Sequence, residues 1–272
     1  PESFTEETDP RYTEIDYALK VVDYLMPQMR AVHPLGSDEP EEESALMMHG
    51  FETSLFAAMN PLPGYFQWYI DRSIDASYDY TVKLLKLISW FRNDDPGKPW
   101  ILKTPEHMVN FSSLLRCFPD AKIVSTHREP LSVLSSVMSM AWMAMVRDHD
   151  ELDPDMIADQ WQRFMDASIN NFMAIRDSGK LKDHQIIDLH FEDINRDWQR
   201  EMEKVYGHFN IPLSDRALES MRDWMENNYQ GKHGRHTHSL EQFGLDPDQV
   251  RERYRHYGER FVRSRKYAAI EG

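Results

Sequence analysis

Arg128 and Ser136 are the side chains of this sequence best matched to an anion: an arginine just past a short β-type run, and a serine eight residues later. A guanidinium offers a planar fork of N–H donors to phosphate oxygens, and a hydroxyl adds one hydrogen bond, a combination suited to a terminal phosphomonoester. Pro130 marks a helix start, so Ser136 falls about two turns on at 3.6 residues per turn, and both side chains can address one ligand. The bland alternative has Arg128 paired with Glu129 or Asp120 while Ser132, Ser135 and Ser136 merely pack.

A second group stands at Lys103, Thr104, Glu106 and His107, again directly after a short apolar run, Trp100-Ile101-Leu102. In open parallel sheets ligands bind beyond the carboxyl ends of the strands, so both groups point to the mouth of such a sheet. What must position them is an alternation of strand and helix. Residues 100–103 read as strand, with a helix start at Thr104-Pro105-Glu106; residues 121–127 read as strand, with a helix from Pro130; a third unit opens at residues 185–189. Such alternation implies right-handed crossovers and an α/β fold with a parallel sheet flanked by helices.

Upstream of Pro99 the pattern is helical. Asp9 and Pro10 read as the cap and first-turn proline of a helix that carries Tyr17, Val21, Tyr24 and Leu25 and ends at Pro27. His33-Pro34-Leu35-Gly36 reads as a loop, and the acids Glu39 and Glu41 to Glu43 as the solvated start of a helix carrying Leu46, Met47, Phe51, Leu55 and Phe56. One further helix is expected over about 65–91, with Ile70, Ile74, Tyr78, Val82, Leu85 and Ile88 on one stripe. The expectation is a single domain over residues 1–272, with 1–98 a mainly helical cap and 99–272 an α/β core with a C-terminal binding loop.

Composition narrows the partners. A chain of 272 residues with 41% hydrophobic content can bury a full core. A net charge of −15 argues against nucleic acid, because release of counterions from phosphates needs a basic face. Apolar stretches such as 133–145 fall short of the roughly 18–20 residues that a membrane span requires, so no transmembrane segment is expected; the Met and Trp side chains there read as core, in part able to line an apolar acceptor channel. The single Cys117 reads as a buried core thiol, and a reducing, cytoplasmic setting fits it. His233, His236 and His238 match no standard zinc spacing and have no cysteine or carboxylate cluster beside them, so anion contact in a solvated loop is preferred and no metal is expected.

The run Trp-Ile-Leu-Lys-Thr-Pro-Glu-His at 100–107, followed by Phe-Pro-Asp-Ala-Lys-Ile-Val-Ser-Thr-His-Arg-Glu-Pro at 118–130, resembles the core of sulfotransferases that use 3′-phosphoadenosine 5′-phosphosulfate (PAPS). The likeness is to the bacterial branch in particular, through His33-Pro34-Leu35-Gly36, Phe191-Glu192-Asp193-Ile194, and the loop from Gly231 to His236 leading to Phe243-Gly244-Leu245-Asp246. It implies a P-loop-like sulfotransferase fold and transfer of a sulfuryl group to a hydroxyl or amine of a small-molecule or lipid-like acceptor.

By that resemblance Arg128 and Ser136 hold the 3′-phosphate of the nucleotide, with Lys232, Gly234, Arg235 and His236 as the counterpart of the family's C-terminal basic loop. Lys103 corresponds to the lysine that approaches the transferring group. For the base the sequence offers His107, Glu106 and His33, with His107 favoured and then His33. The family's Gly- and Thr-rich turn that cradles the 5′-phosphosulfate is not found and would lie upstream of Asp9. With Pro1 first, the expectation is a chain that starts beyond that turn and is incompetent for catalysis by itself. A phosphotransferase-like nucleotide binder and a non-catalytic sulfotransferase-like module remain the alternatives, the former lacking magnesium carboxylates that can be placed. A homo-oligomer is left open.

Overall fold

The computed structural model describes residues 9–263 except Pro34, Asp38, Gln230, His233 and Arg235. They divide into two compact units, each described by itself: Pro1–Glu42 with Glu219–Thr237, and Glu43–Leu218 with His238–Gly272.

In the smaller unit, α1 (Pro10–Leu25) starts as its sequence dictates, with Pro10 in the first turn and the Asp9 carboxylate accepting the Arg11 N–H. It ends before Pro27, and α2 (Met29–Val32) follows.

The larger unit opens with α3 (Ser44–Met47), a 3-10 turn (Met48–Gly50), α4 (Leu55–Met59), α5 (Pro63–Ile70) and α6 (Asp75–Arg92). Two expected helices are therefore broken. Phe51 takes a left-handed φ of 56°, which ends the turn after α3. Ser73 Oγ accepts the Asp75 N–H at 3.3 Å and so starts α6 afresh after α5.

The chain continues through α7 (Glu106–Val109), α8 (Phe111–Cys117), β1 (Ile123–His127), α9 (Pro130–Met145), α10 (Pro154–Asp177), β2 (Ile186–His190), α11 (Phe191–Arg196) and α12 (Trp198–His208). After α13 (Asp215–Asn227) come a 3-10 turn (Glu241–Phe243), α14 (Pro247–Arg253), α15 (Arg255–Tyr257) and a π-helical turn (Gly258–Arg263). β1 and β2 pair in parallel, from Ile123 opposite Ile186 to His127 opposite His190. Residues 100–103, expected as strand, make no ladder among the described residues. Ile101 is 91% exposed there, and the Lys103 N–H is spent on a carboxylate, Glu43 Oε2, at 2.8 Å.

Side chains alternate across a strand, and β2 uses both faces. Ile186 joins the main core, while Ile187 and Leu189 pack with Ile194, Met202, Val205 and Phe209 of α11, α12 and the α12 C-terminus. The main core is built on the α10 stripe Ile157, Trp161, Phe164, Phe172 and Ile175, spaced to share a helix face. Phe66 stacks on Phe164 at 5.6 Å and Phe111 on Phe172 at 5.8 Å; each such ring adds roughly 2–3 kcal/mol by burial. Met138, Ala141 and Met145 of α9 are buried in the same core. Cys117 packs against the main core but is only partly buried, with its thiol 3.5 Å from Asp79 Oδ1, so the expected full burial is not realised. Among the described residues no helix is long and apolar enough to cross a membrane.

Two carboxyl groups, one buried and one half-buried, brace this frame. Glu106, 1% exposed, accepts from Thr53 Oγ1 at 2.5 Å, Ser54 N–H at 3.0 Å, Ser54 Oγ at 2.9 Å and the Tyr69 hydroxyl at 2.7 Å, tying α7 to α4 and α5. Burial pushes its carboxyl above the ordinary value, against the pull of those donors. Asp188 of β2 takes two N–H groups of Arg176 on α10, at 2.7 and 2.9 Å, and meets His127 Nε2 at 2.9 Å. Burial raises this carboxyl, but His127 and Arg176 outweigh it and hold the pKa at about 2.

Glu106→Ala is expected to lower stability by about 3 kcal/mol, because buried hydroxyls lose their acceptor, and to drop the thermal midpoint by about 6–12 °C; Glu106→Gln, which keeps one acceptor oxygen, should cost less. The lowered pKa of Asp188 makes its contribution complete above the ordinary 3.8 and lost as pH falls toward about 2. Urea unfolding of the wild type and Asp188→Asn should therefore differ most above pH 4 and converge near about pH 2.

Candidate functional site

Arg128 leaves β1 directly after the last paired residue, His127, and precedes the Glu129-Pro130 start of α9. Its guanidinium lies 4.4 Å over the ring of Phe191, the first residue after β2. Because the strands run in register, the two residues emerge side by side at the carboxyl end of the sheet. A guanidinium stacked on an aromatic face keeps its N–H edge open. Among the described residues no carboxylate pairs with Arg128, so the alternative pairing with Glu129 or Asp120 is not realised. Ser136 sits in the first half of α9, partly buried, and makes no hydrogen bond among the described residues. Ser135 is used otherwise: its hydroxyl bonds Leu131 O at 2.9 Å and His238 Nδ1 at 2.8 Å.

The group after residues 100–103 is assembled by the helical elements of the larger unit. His107 of α7 has the Tyr78 hydroxyl of α6 on Nδ1 at 2.8 Å and the Glu43 carboxylate on Nε2. Burial pushes the Tyr78 phenol far up, so it donates to Nδ1, which leaves the Nε2 proton facing Glu43. Burial also raises the Glu43 carboxyl, but the hydrogen bond and charge of His107 bring it below the ordinary value. Glu43, read from sequence as a solvated helix-start acid, is 5% exposed and bonds both His107 and the Lys103 N–H. That corrects the expectation, and only its place next to the first apolar stripe hinted at it. The Lys103 side chain is exposed, while its backbone N–H is the group bonded to Glu43.

Glu106 stands apart from these residues, enclosed by its four donors. His33 lies in the smaller unit as the residue that ends α2, its N–H bonded to Met29 O at 2.8 Å. In the same unit Lys232 and Gly234 are exposed on a tight turn, with Gly234 N–H on Gly231 O at 3.0 Å and left-handed φ values of 85° and 102° at the two glycines. His236 is partly buried in that unit; Arg235 and His233 lie outside the described residues. Among the described residues no group of three or more His, Cys, Asp or Glu is placed to hold a metal.

A groove of about 560 Å³ opens where α9 ends and α10 begins, lined by Trp142, Val146, His149, Asp150, Glu151, Leu152 and Asp153. It lies toward the opposite end of α9 from Arg128. The strand-end residues can thus hold an anion, and the Glu43–His107–Tyr78 set can hold or accept a proton.

A model of the sulfotransferase family matches residues 3–215. Comparison with curated protein sequences gives no significant match. Among solved structures, sulfotransferase STF1 from Mycobacterium tuberculosis H37Rv is similar, with a TM-score of 0.76 and 25% identity over 93% of this chain. Sulfotransferase STF9 from Mycobacterium avium shares the fold, with a TM-score of 0.80 and 22% identity over 94% of this chain. The chain spans 65% of the length of each. With residues 3–215 of 272 matched in sequence and this parallel-sheet fold shared with both structures, the chain belongs to the sulfotransferase family.

Proposed function

We propose that the protein transfers a sulfuryl group from PAPS to a hydroxyl or amine of a small-molecule or lipid-like acceptor, in the cytoplasm. The observation that carries this reading is Arg128: a guanidinium at the mouth of a parallel sheet, backed by Phe191 and without a carboxylate partner among the described residues. A cation so placed fits a phosphate. Ser136, with its hydroxyl unspent, adds a neutral donor from α9. When bound, PAPS supplies an activated sulfuryl group whose departure leaves a nucleotide with a 3′- and a 5′-phosphate.

Lys103 offers an ammonium to the negative charge that builds on oxygen during transfer. His107 is the proposed base. To accept a proton at Nδ1 from an acceptor hydroxyl the ring must give up its hydrogen bond from the buried Tyr78, and Glu43 stabilises the cationic ring that results, the logic of an oriented imidazole with a carboxylate behind it. Glu106 is assigned a bracing role, since a carboxylate enclosed by four donors has no room for an acceptor. His33 is the second candidate base. Lys232, Gly234, Arg235 and His236 are proposed as further nucleotide contacts from their order in the sequence. A nucleotide-binding module without transfer activity is the competing reading, and a transfer assay separates the two.

Calorimetric titration with 3′-phosphoadenosine 5′-phosphate should show about 10- to 100-fold weaker binding for Arg128→Ala and about 3- to 10-fold for Ser136→Ala; unchanged affinity in both would remove the reading. In transfer assays on the intact enzyme, His107→Ala is expected to lower kcat about 10²- to 10⁴-fold with nucleotide affinity preserved, and a full rate in that variant would move the base to His33.

A further inference from the structure

His127 is the last residue of β1 and the immediate neighbour of Arg128. It is 1% exposed, yet both ring nitrogens are in use. Nδ1 meets the Tyr257 hydroxyl at 2.7 Å, and Nε2 meets Asp188 Oδ1 at 2.9 Å. Asp188 is fixed in turn by Arg176, whose guanidinium lies 5.6 Å from the Phe172 centroid and 5.5 Å from that of Phe261. Phe261 also stacks on the imidazole at 4.7 Å with an interplanar angle of 8°.

A buried strand position is ordinarily met by Val or Ile, and burying an imidazole with a charged pair has a desolvation cost that sheet pairing does not require. What the arrangement supplies is a single orientation. Residues alternate along a strand, so His127 enters the core while Arg128 leaves on the other side toward Phe191. Arg128 lies one step beyond the last paired residues, His127 and His190, so the ladder ends before it. Arg128 sits between the clamped end of β1 and Glu129, whose carbonyl starts α9 by accepting the Ser132 and Val133 N–H groups.

We infer that His127 is a positioning residue, and that the Tyr257–His127–Asp188–Arg176 clamp fixes the end of β1 so that Arg128 meets a 3′-phosphate in one place. The inference rests on the reading of Arg128 given above and deepens it: the clamp sets the preference for nucleotides that carry a 3′-phosphate over those that do not. The clamp joins β1, β2, α10 and α15, with Phe261 of the π-helical turn stacked on it, so the packing of Tyr257 and Phe261 bears on how the anion is held.

The test compares 3′-phosphoadenosine 5′-phosphate with 5′-AMP by calorimetric titration, on the wild type and on Arg128→Ala, His127→Leu, His127→Gln and Tyr257→Phe, with a thermal melt of each. His127→Leu should weaken the bisphosphate about tenfold, equivalent to ~1.4 kcal/mol, and leave 5′-AMP unchanged. His127→Gln, which returns an amide donor toward Asp188, should recover part of that loss. Tyr257→Phe removes one hydroxyl and nothing of the packing, so it decides the matter if His127→Leu does not fold; about a threefold loss confined to the bisphosphate is expected. Clamp variants that bind the bisphosphate like the wild type, or that lose both ligands equally, overturn the inference. If Arg128→Ala abolishes the 3′-phosphate preference while the clamp variants keep it, the clamp alone fails; if Arg128→Ala keeps it too, the reading of Arg128 falls and the inference with it.

Discussion

The parallel register of β1 with β2 is the constraint on which the rest turns. It ends with His127 opposite His190, so the next residue on each strand, Arg128 and Phe191, emerges at the same edge and the guanidinium comes to rest on the ring. An antiparallel pair, or a slip of one residue, would turn Arg128 into the core or send it away from Phe191. Burial on both faces of β2 makes that slip costly, since Ile187 and Leu189 would exchange places with Ile186 and Asp188.

Buried charge is distributed to the same end. Three carboxylates of the larger unit, Glu106 and Glu43 buried and Asp188 half-buried, are each compensated in a different way. Glu106 is surrounded by neutral donors and acts as a knot between helices that share little sequence proximity. Asp188 is matched by a bidentate arginine and an imidazole at the sheet. Glu43 is matched by His107 and the Lys103 backbone N–H. A carboxyl enclosed by hydrogen-bond donors serves stability, because its bonds tie separate segments together. A carboxylate on an imidazole orients the ring and stabilises its protonated form.

Much of the fold was legible in short stretches of sequence. Asp9-Pro10 and Pro130 mark helix starts because an acidic cap and a proline fit the first turn and nowhere else in a helix. The β-type runs at Ile123 and Ile186 became the two paired strands for the same local reason, β-branched residues on a half-buried face. The breaks at Phe51 and Ser73 were not legible, since apolar spacing continues across both and only the backbone geometry shows the interruption.

What the sequence determined by itself was the class of fold and the order of its strand-end residues, because these follow from residue type and spacing along one element. Tertiary structure alone decided which charges meet. Glu43 reads as one acid in a solvated run and becomes the partner of His107; Glu106 reads as a candidate base and is sealed among hydroxyls; residues 100–103 read as strand and spend the Lys103 N–H on a side chain instead. Local propensity fixes what a residue can bond to, but the partner of a buried polar group is set by packing between segments far apart in the chain, where the cost of leaving it unpaired selects one arrangement.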